Sequence, residues 1–194
     1  MSFVMIAAVD AETGLIGAGN KLIHRVPEDL ARFRELTKRA VLVLMGRKTF
    51  ESLPGAEAAT QARRTPLPGR NLAVLTEGPM KGDGYRTPQG DEVSFVSRES
   101  VDSIMNWMER GGKQQTLYIA GGAQVYREMM PRADAIEITE IKKPGFQAVG
   151  DAYFPKIDPR EWELSVRSPW YFSDAAQSEY RFLTYTRIKK ENQA

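Results

Sequence analysis

The sequence predicts an α/β protein in three layers: a central, mostly parallel, twisted sheet flanked by helices, with an antiparallel hairpin at one edge. Three observations predict it. Short continuous apolar runs recur, among them F-V-M-I-A-A-V at residues 3–9 and A-V-L-V-L-M at 40–45, the pattern of strands covered on both faces. Stretches with helical spacing alternate with those runs, as in a parallel sheet with crossover helices. Near the C-terminus, residues 162–167 and 180–188 alternate apolar and polar positions, as a half-exposed antiparallel pair does.

After the strand at 3–9, residues 10–20 carry Gly14, Gly17 and Gly19 and read as a flexible loop. Residues 21–25 lead into a helix that opens on V-P-E-D-L-A-R-F-R-E-L, residues 26–36. Pro27 suits a first helical position, because the N–H it lacks would have no partner there. Leu30, Phe33 and Leu36 mark a buried stripe, while Glu28, Arg32 and Glu35 fall on another face and can pair in water. Asp29 breaks the pattern. It shares the side of Phe33 and Leu36 and has no cation at i+4, which costs free energy unless something hydrogen-bonds it. Taken alone, a helix-start acid favoured by the dipole accounts for it too.

The strand at 40–45 follows, and Gly46 turns into a short helix at 47–53. Residues 54–68, rich in Ala, Gln and Arg, read as a surface loop longer than a compact domain usually needs. Residues 71–76 are a further buried strand, 77–90 are turn-rich, and 93–96 are a weak strand. Ser100 caps a helix with Val101, Ile104, Met105 and Met108 on one stripe, stopped by Gly111-Gly112. Residues 116–120 form a buried strand, Gly121-Gly122 break into a helix at 123–130, and 135–141 are a strand. Residues 142–150 read as loop and D-A-Y-F-P at 151–155 as a loop entering a turn. No repeat, low-complexity tract or linker divides the chain, so 1–194 reads as one domain.

Composition narrows the chemistry. An apolar fraction of 42% and a charged fraction of 27% are ordinary for a soluble globular protein. A net charge of +2 gives no basic field that would argue for nucleic acid. With no cysteine, disulfides, thiolate catalysis and cysteine metal sites are excluded, and a single histidine, His24, argues against a protein-only zinc or iron site, so no metal is expected. The N-terminus lacks a basic leader with a small-residue cleavage site, and no apolar run reaches the length of a membrane span. The expectation is a cytoplasmic, soluble protein, and a monomer, since no exposed apolar stripe is left over.

Two strand-to-helix turns suit an anion. In L-M-G-R-K-T-F-E-S-L, Arg47 and Lys48 sit in a first helical turn, where the dipole disfavours cations. A phosphate between them and the backbone N–H groups would explain the pair, and a solvated basic turn is the alternative. In Y-I-A-G-G-A-Q-V-Y the paired glycines let backbone lie against a pyrophosphate, or simply make a tight turn. Neither G-x-G-x-x-G nor G-x-x-x-x-G-K-[ST] is present, so a standard Rossmann site or P-loop is not indicated. Two such turns at the carboxyl ends of parallel strands are better evidence than one, because open α/β sheets bind ligands along that edge. Arg70, after P-L-P-G, is placed to offer a bidentate fork to a carboxylate, unless it keeps its head in water. Thr139 is a hydroxyl in an otherwise apolar strand, able to satisfy a backbone group or to hold a buried carboxylate.

Taken together, the segments resemble dihydrofolate reductase. The matching pieces are I-A-A-V-D, G-L-I-G, V-P-E-D-L-A-R-F, M-G-R-K-T-F-E-S-L, P-L-P-G-R-N, Y-I-A-G-G-A-Q-V-Y, I-T-E-I, G-D-A-Y-F-P and a tyrosine-rich final strand. They occur in the family's order from about residue 3 to 188, and P-E-D-L followed by M-G-R-K-T-F-E-S is specific in combination. The resemblance implies NADPH-dependent reduction of 7,8-dihydrofolate to 5,6,7,8-tetrahydrofolate, with antifolates as further ligands.

Residue by residue, the resemblance implies the following. Asp29 is the carboxylate that bonds the pterin amino group and N3 and favours protonation at N5, with water as the final donor. Thr139 supports that carboxylate. The carbonyls of Ile6 and Ala120 line the pterin pocket, Phe33 is its aromatic wall, and Ala7 and Leu30 complete the substrate side. Arg70 grips the α-carboxylate of the glutamate tail. Gly46, Arg47, Lys48 and Thr49 bind NADPH phosphate, with Leu75 and Thr76 near the 2′-phosphate. Gly121, Gly122, Ala123, Gln124 and Val125 form the pyrophosphate turn. Ala8, Ile16 and Tyr126 line the nicotinamide pocket, and residues 10–25 match the loop that closes over it.

Three departures from the family pattern stand out. Ile23-His24 replaces the usual Pro-Trp, and His24, which can titrate near neutral pH, is expected to alter loop closure or the pH profile unless it is a tolerated variant. Glu77 adjoins the expected 2′-phosphate site, where a like charge repels, although Arg47 and Lys48 oppose it and favour NADPH over NADH. The segments before Pro66 and at 142–149 are longer than in short bacterial members. Two other readings stay open: the related pyrimidine reductase of riboflavin synthesis, against which Asp29 and Arg70 argue, and a non-catalytic NADPH- or folate-binding protein, which only His24 supports.

Overall fold

The computed structural model describes residues 2–76, 84–110 and 115–189. Glu77 and Gly111-Gly112, singled out above, lie outside the described residues. In chain order the elements are β1 (Ser2–Asp10), β2 (Leu15–Ala18), β3 (Lys21–Leu22), α1 (Pro27–Lys38), β4 (Leu42–Gly46), α2 (Arg47–Glu51), α3 (Ala56–Gln61), β5 (Leu72–Leu75), β6 (Tyr85–Arg86) and β7 (Glu92–Val96). Then come α4 (Arg98–Arg110), β8 (Thr116–Ile119), α5 (Ala123–Met129) with a 3₁₀ turn at Met130–Arg132, β9 (Ala135–Lys142), β10 (Ala152–Tyr153), β11 (Trp162–Arg167), β12 (Tyr171–Ser173) and β13 (Ser178–Arg187).

The main sheet runs β11-β13-β9-β1-β8-β4-β5-β7-β6, with β12 paired to β13. From β9 to β7 every pairing is parallel. β13 lies antiparallel to β9, and β11 antiparallel to β13, which is the expected antiparallel edge. Successive side chains of β1 leave on opposite faces. Phe3, Met5, Ala7 and Val9 enter the large core with Met105 and Met108 of α4 and Val125 and Met129 of α5. Val4 and Ile6 enter the opposite core, where Phe33 and Leu36 of α1 pack partly buried. Helices therefore cover both faces, which is why the central strands read as unbroken apolar runs.

Several expectations are corrected. The α1 stripe is only half-buried: Leu30 is 36% exposed, and Thr37 is the helix's one buried residue. Glu28 and Arg32 do not pair with each other in water. Glu28 accepts the Ser173 hydroxyl at 2.8 Å, and Arg32 reaches Glu137. Residues 54–68 are not all loop, because Ala56–Gln61 form α3. Its alanines favour helix, Gly55 starts it at φ 73°, and Ala56 is buried. The stretch at 10–25 is not wholly irregular either. β2 pairs with β3 and with β10, so D-A-Y-F-P supplies a strand to a second small sheet instead of a simple turn. Finally, Ser97, not Ser100, sits before α4, and its hydroxyl accepts the Ser100 N–H at 3.2 Å.

Candidate active site

Because β4 and β8 are neighbours, the turns that follow them lie side by side. The Gly46 N–H donates to the Gly121 carbonyl at 2.7 Å, and the Ala120 N–H to the Leu44 carbonyl at 2.8 Å. Neither α2 nor α5 carries a side-chain N-cap, which leaves first-turn N–H groups without a side-chain acceptor. Space here is tight. A Cβ on Gly46 would lie 3.1 Å from Val125, one on Gly122 3.1 Å from the Thr49 hydroxyl, and one on Gly121, at φ 103°, 3.1 Å from the Tyr126 ring. The Gly121-Gly122 peptide is cis. The result is a backbone cradle at the start of two helices, with Arg47 and Lys48 exposed beside it. Arg47 pairs with Glu51 at 2.6 Å. Leu75 and Thr76 are buried at the end of the adjacent β5, where the Thr76 N–H bonds the Val96 carbonyl.

A carboxyl lies within electrostatic reach of Tyr126, whose ring packs against Gly121. Asp29, in the first turn of α1, is half-buried. Burial pushes its pKa up, opposed by hydrogen bonding with the Thr139 hydroxyl and by the positive charge of Arg32. Thr139 is buried on β9 and pairs in register with Ala8 of β1. The buried Tyr126 hydroxyl of α5 donates to the Ile6 carbonyl at 2.6 Å, and burial followed by the Asp29 charge holds its pKa well above the ordinary tyrosine value. Ile6, Asp29, Tyr126 and Thr139 therefore converge from four elements. Phe33 and Ala120 join them through the packing around Ile6. Ala7 and Ile16 belong to the opposite core, and Ala8 is partly buried against Val26.

Beside Thr37 of α1 stands a buried cation, Arg70, which the Asp91 carboxylate influences through space. It donates through Nη1 to the Thr37 hydroxyl at 3.2 Å and through Nε to the Pro68 carbonyl at 3.3 Å, and Thr37 in turn donates to the Phe33 carbonyl at 2.7 Å. Burial lowers its pKa, and the nearby charge of Arg34 adds to this. Guanidinium groups with unused donors in a desolvated setting suit a carboxylate or phosphate.

At 32–33% identity the chain matches dihydrofolate reductases of Neisseria meningitidis (32% over 185 residues, 95% of this chain and 98% of that one) and Mycobacterium tuberculosis (33% over 187 residues, 96% and 99%). The dihydrofolate reductase family model matches residues 2–187. The chain belongs to the dihydrofolate reductase family. A solved member, the Enterococcus faecalis enzyme complexed with NADP(H) and RAB-propyl, superposes with a TM-score of 0.75 at 28% identity over 97% of each chain.

The fold brings some of the residues singled out in the sequence together and leaves others apart. Gly46, Thr49, Gly121, Gly122, Ala123 and Val125 meet at the double turn, with Gln124 bonded to Glu128 at 3.0 Å. Leu30 and Lys48 are exposed. His24 is buried, and its Nε2 lies 2.8 Å from Asp10 Oδ2. Asp10 also accepts the Thr13 hydroxyl at 2.7 Å and the N–H groups of Thr13 and Glu12. Burial alone would raise the Asp10 pKa, but these hydrogen bonds outweigh it and hold it below the ordinary value. The ring of Phe146 lies 5.1 Å from His24, so the longer segment at 142–149 sets an aromatic ring against His24. Sequence reasoning missed Asp10, Thr37 and Glu137. The first two carry no local signal beyond being polar next to apolar runs, and their roles come from partners 14 and 33 residues away.

Proposed function

We propose that this chain reduces 7,8-dihydrofolate to 5,6,7,8-tetrahydrofolate with NADPH, moving hydride from nicotinamide C4 to pterin C6 while N5 gains a proton. The observation that carries the reading is the Asp29 carboxyl, raised in pKa by burial and facing Thr139, in a chain of the dihydrofolate reductase family. Asp29 accepts hydrogen bonds from the pterin amino group and N3, and Thr139 orients it. The carbonyls of Ile6 and Ala120 complete the polar rim of the pterin slot, with Leu30 and Phe33 on its walls and Ala7 contributing backbone only. Arg70 receives the α-carboxylate of the glutamate tail through donors that Thr37 and Pro68 leave unused.

The glycine cradle fits a dinucleotide, since Gly121 and Gly122 let the turn pack against the Tyr126 ring and the Thr49 hydroxyl, where a Cβ would crowd them, and so leave bare backbone at the helix start for a pyrophosphate. Gly46, Arg47, Lys48 and Thr49 hold one phosphate face, Leu75 and Thr76 the 2′-phosphate side, and Gly121, Gly122, Ala123, Gln124 and Val125 the other turn. Ala8, Ile16 and Tyr126 enclose the nicotinamide end. Bound NADPH supplies the hydride. The chain's own part is to stack the two rings, exclude water and keep a titratable carboxyl beside the pterin. Antifolates carrying the same donor pattern bind Asp29 in place of substrate. We place the protein in the cytoplasm as a monomer. Among the described residues no helix is long and apolar enough to cross a membrane, and no acid or histidine cluster could hold a metal ion.

Steady-state oxidation of NADPH and of NADH, each with dihydrofolate or with a ribitylated aminopyrimidine, tests this reading. Turnover of dihydrofolate with a preference for NADPH is expected. Turnover of the pyrimidine alone would assign the protein to the riboflavin branch, and tight binding of NADPH and folate without turnover would make it a binding protein.

A further inference from the structure

Arg32 stands one turn after Asp29 on α1 and plays no part in the reaction as described. Its surroundings are unusual for a surface arginine. Its Nη2 donates to Glu137 Oε2 at 2.5 Å, with both side chains mostly buried. The same carboxylate oxygen accepts the Thr184 hydroxyl at 2.9 Å. The guanidinium lies 4.6 Å from the centre of the Phe182 ring. These contacts fall in one register block. Glu137 and Thr139 leave the same face of β9, Thr184 pairs with Glu137, and Phe182 pairs with Thr139. Arg32 therefore straps α1 to β9 and β13 beside the hydroxyl that faces Asp29.

We propose that Arg32 is a positioning residue for Asp29: clamped by Glu137, Thr184 and Phe182, it fixes the seat of α1 against β9 and keeps a positive charge one helical turn from the carboxyl. The inference rests on Asp29 being the acid of the site. Two effects follow from one geometry. The clamp sets how closely Asp29 and Thr139 face each other. The charge favours the ionised carboxylate, opposing the upward push of burial. The groups facing Asp29 are Arg32 on its own helix, Thr139 on β9 and Tyr126 on α5. Of these only Arg32 carries a charge at neutral pH, because Tyr126 stays protonated. Glu137 weakens the effect without cancelling it: it holds Arg32 in place, and Arg32 is the charged group that acts on Asp29.

The test is a carbon-13 titration of the Asp29 carboxyl in the full-length protein, together with turnover against pH. In Arg32→Gln the Asp29 pKa moves up by about half a pH unit or more, and the inflection of the turnover curve moves the same way. Arg32→Lys restores most of the charge effect but not the planar fork, so the pKa returns toward native while KM for dihydrofolate is raised in both Arg32→Gln and Arg32→Lys. Since Arg32→Gln leaves Glu137 without its partner and risks misfolding, Arg32→Gln/Glu137→Gln serves as the second variant, and an upward shift is expected there too, smaller than in Arg32→Gln because a nearby negative charge is removed as well. An Asp29 pKa unchanged in both variants overturns the proposal. The NMR readout does not depend on turnover. If the native protein failed to reduce dihydrofolate but the Asp29 pKa still moved, the functional reading would fall and the positioning role would stand.

Discussion

Replacing His24 by leucine removes one member of a buried pair, and the structure sets the size of the loss. Cutting one partner from a buried ion pair costs roughly 3–5 kcal/mol when the other is stranded. Asp10 is not stranded, because Thr13 and Glu12 still supply a hydroxyl at 2.7 Å and N–H groups at 2.9 and 3.2 Å. The expected loss is therefore that of one charge-assisted hydrogen bond, about 2 kcal/mol. In a chain of this length that lowers Tm by about 4–8 °C. The assay is urea unfolding of native protein, His24→Leu, Asp10→Asn and the double variant. A coupling of about 1 kcal/mol or more is expected, and additivity within about 0.5 kcal/mol would refute the pair's role. pH gives a second check. Asp10 titrates lower in the folded chain than its unfolded value of 3.8, so its contribution is complete above that value and is lost as pH falls through the folded one. The stability gap between native protein and Asp10→Asn closes below about pH 4 and persists at neutrality.

Two other substitutions test separate parts of the site. Arg70→Met raises KM for dihydrofolate about 30-fold or more, the loss of roughly 2 kcal/mol from a buried charged hydrogen bond, and leaves binding of a pteridine without a glutamate tail nearly unchanged; equal losses for both ligands would remove Arg70 from its tail-binding role. Gly122→Ala puts a methyl 3.1 Å from the Thr49 hydroxyl and weakens NADPH about tenfold in a fluorescence titration while folate affinity holds; an unchanged NADPH affinity would take the double turn out of the cofactor site.

Sheet strands, the α4 stripe and the two glycine turns were legible in the sequence because each has a local cause. Val43, Leu44 and Met45 are apolar on both faces because helices cover both, and Val101, Met105 and Met108 recur at helical spacing. Asp29 was legible as a misfit, an acid on the apolar side of its helix. What stayed hidden depends on distant partners. Arg32 reads as a solvated charge until Glu137 and Phe182 arrive across the sheet, 105 residues away in the first case. His24 reads as a lone departure from the family until Asp10 and Phe146 enclose it. The half-open α1 stripe has a similar cause. Its spacing promises burial, but only Phe33 and Leu36 pack against the core, and they do so partly, while Leu30 stays exposed. α3 and the β10-β2-β3 sheet were missed because short elements rich in Ala or Gly carry weak periodicity.

The most direct measurement is dihydrofolate-dependent NADPH oxidation by the native protein and by Asp29→Asn from acid to neutral pH. An amide matches the carboxyl in shape but cannot ionise, so the reaction should fall steeply in the variant, most of all near neutral pH. It should recover in part as acid protonates N5 without help. A variant that keeps native turnover and the native pH profile would contradict the account, because Asp29 would then not be the acid on which the site depends.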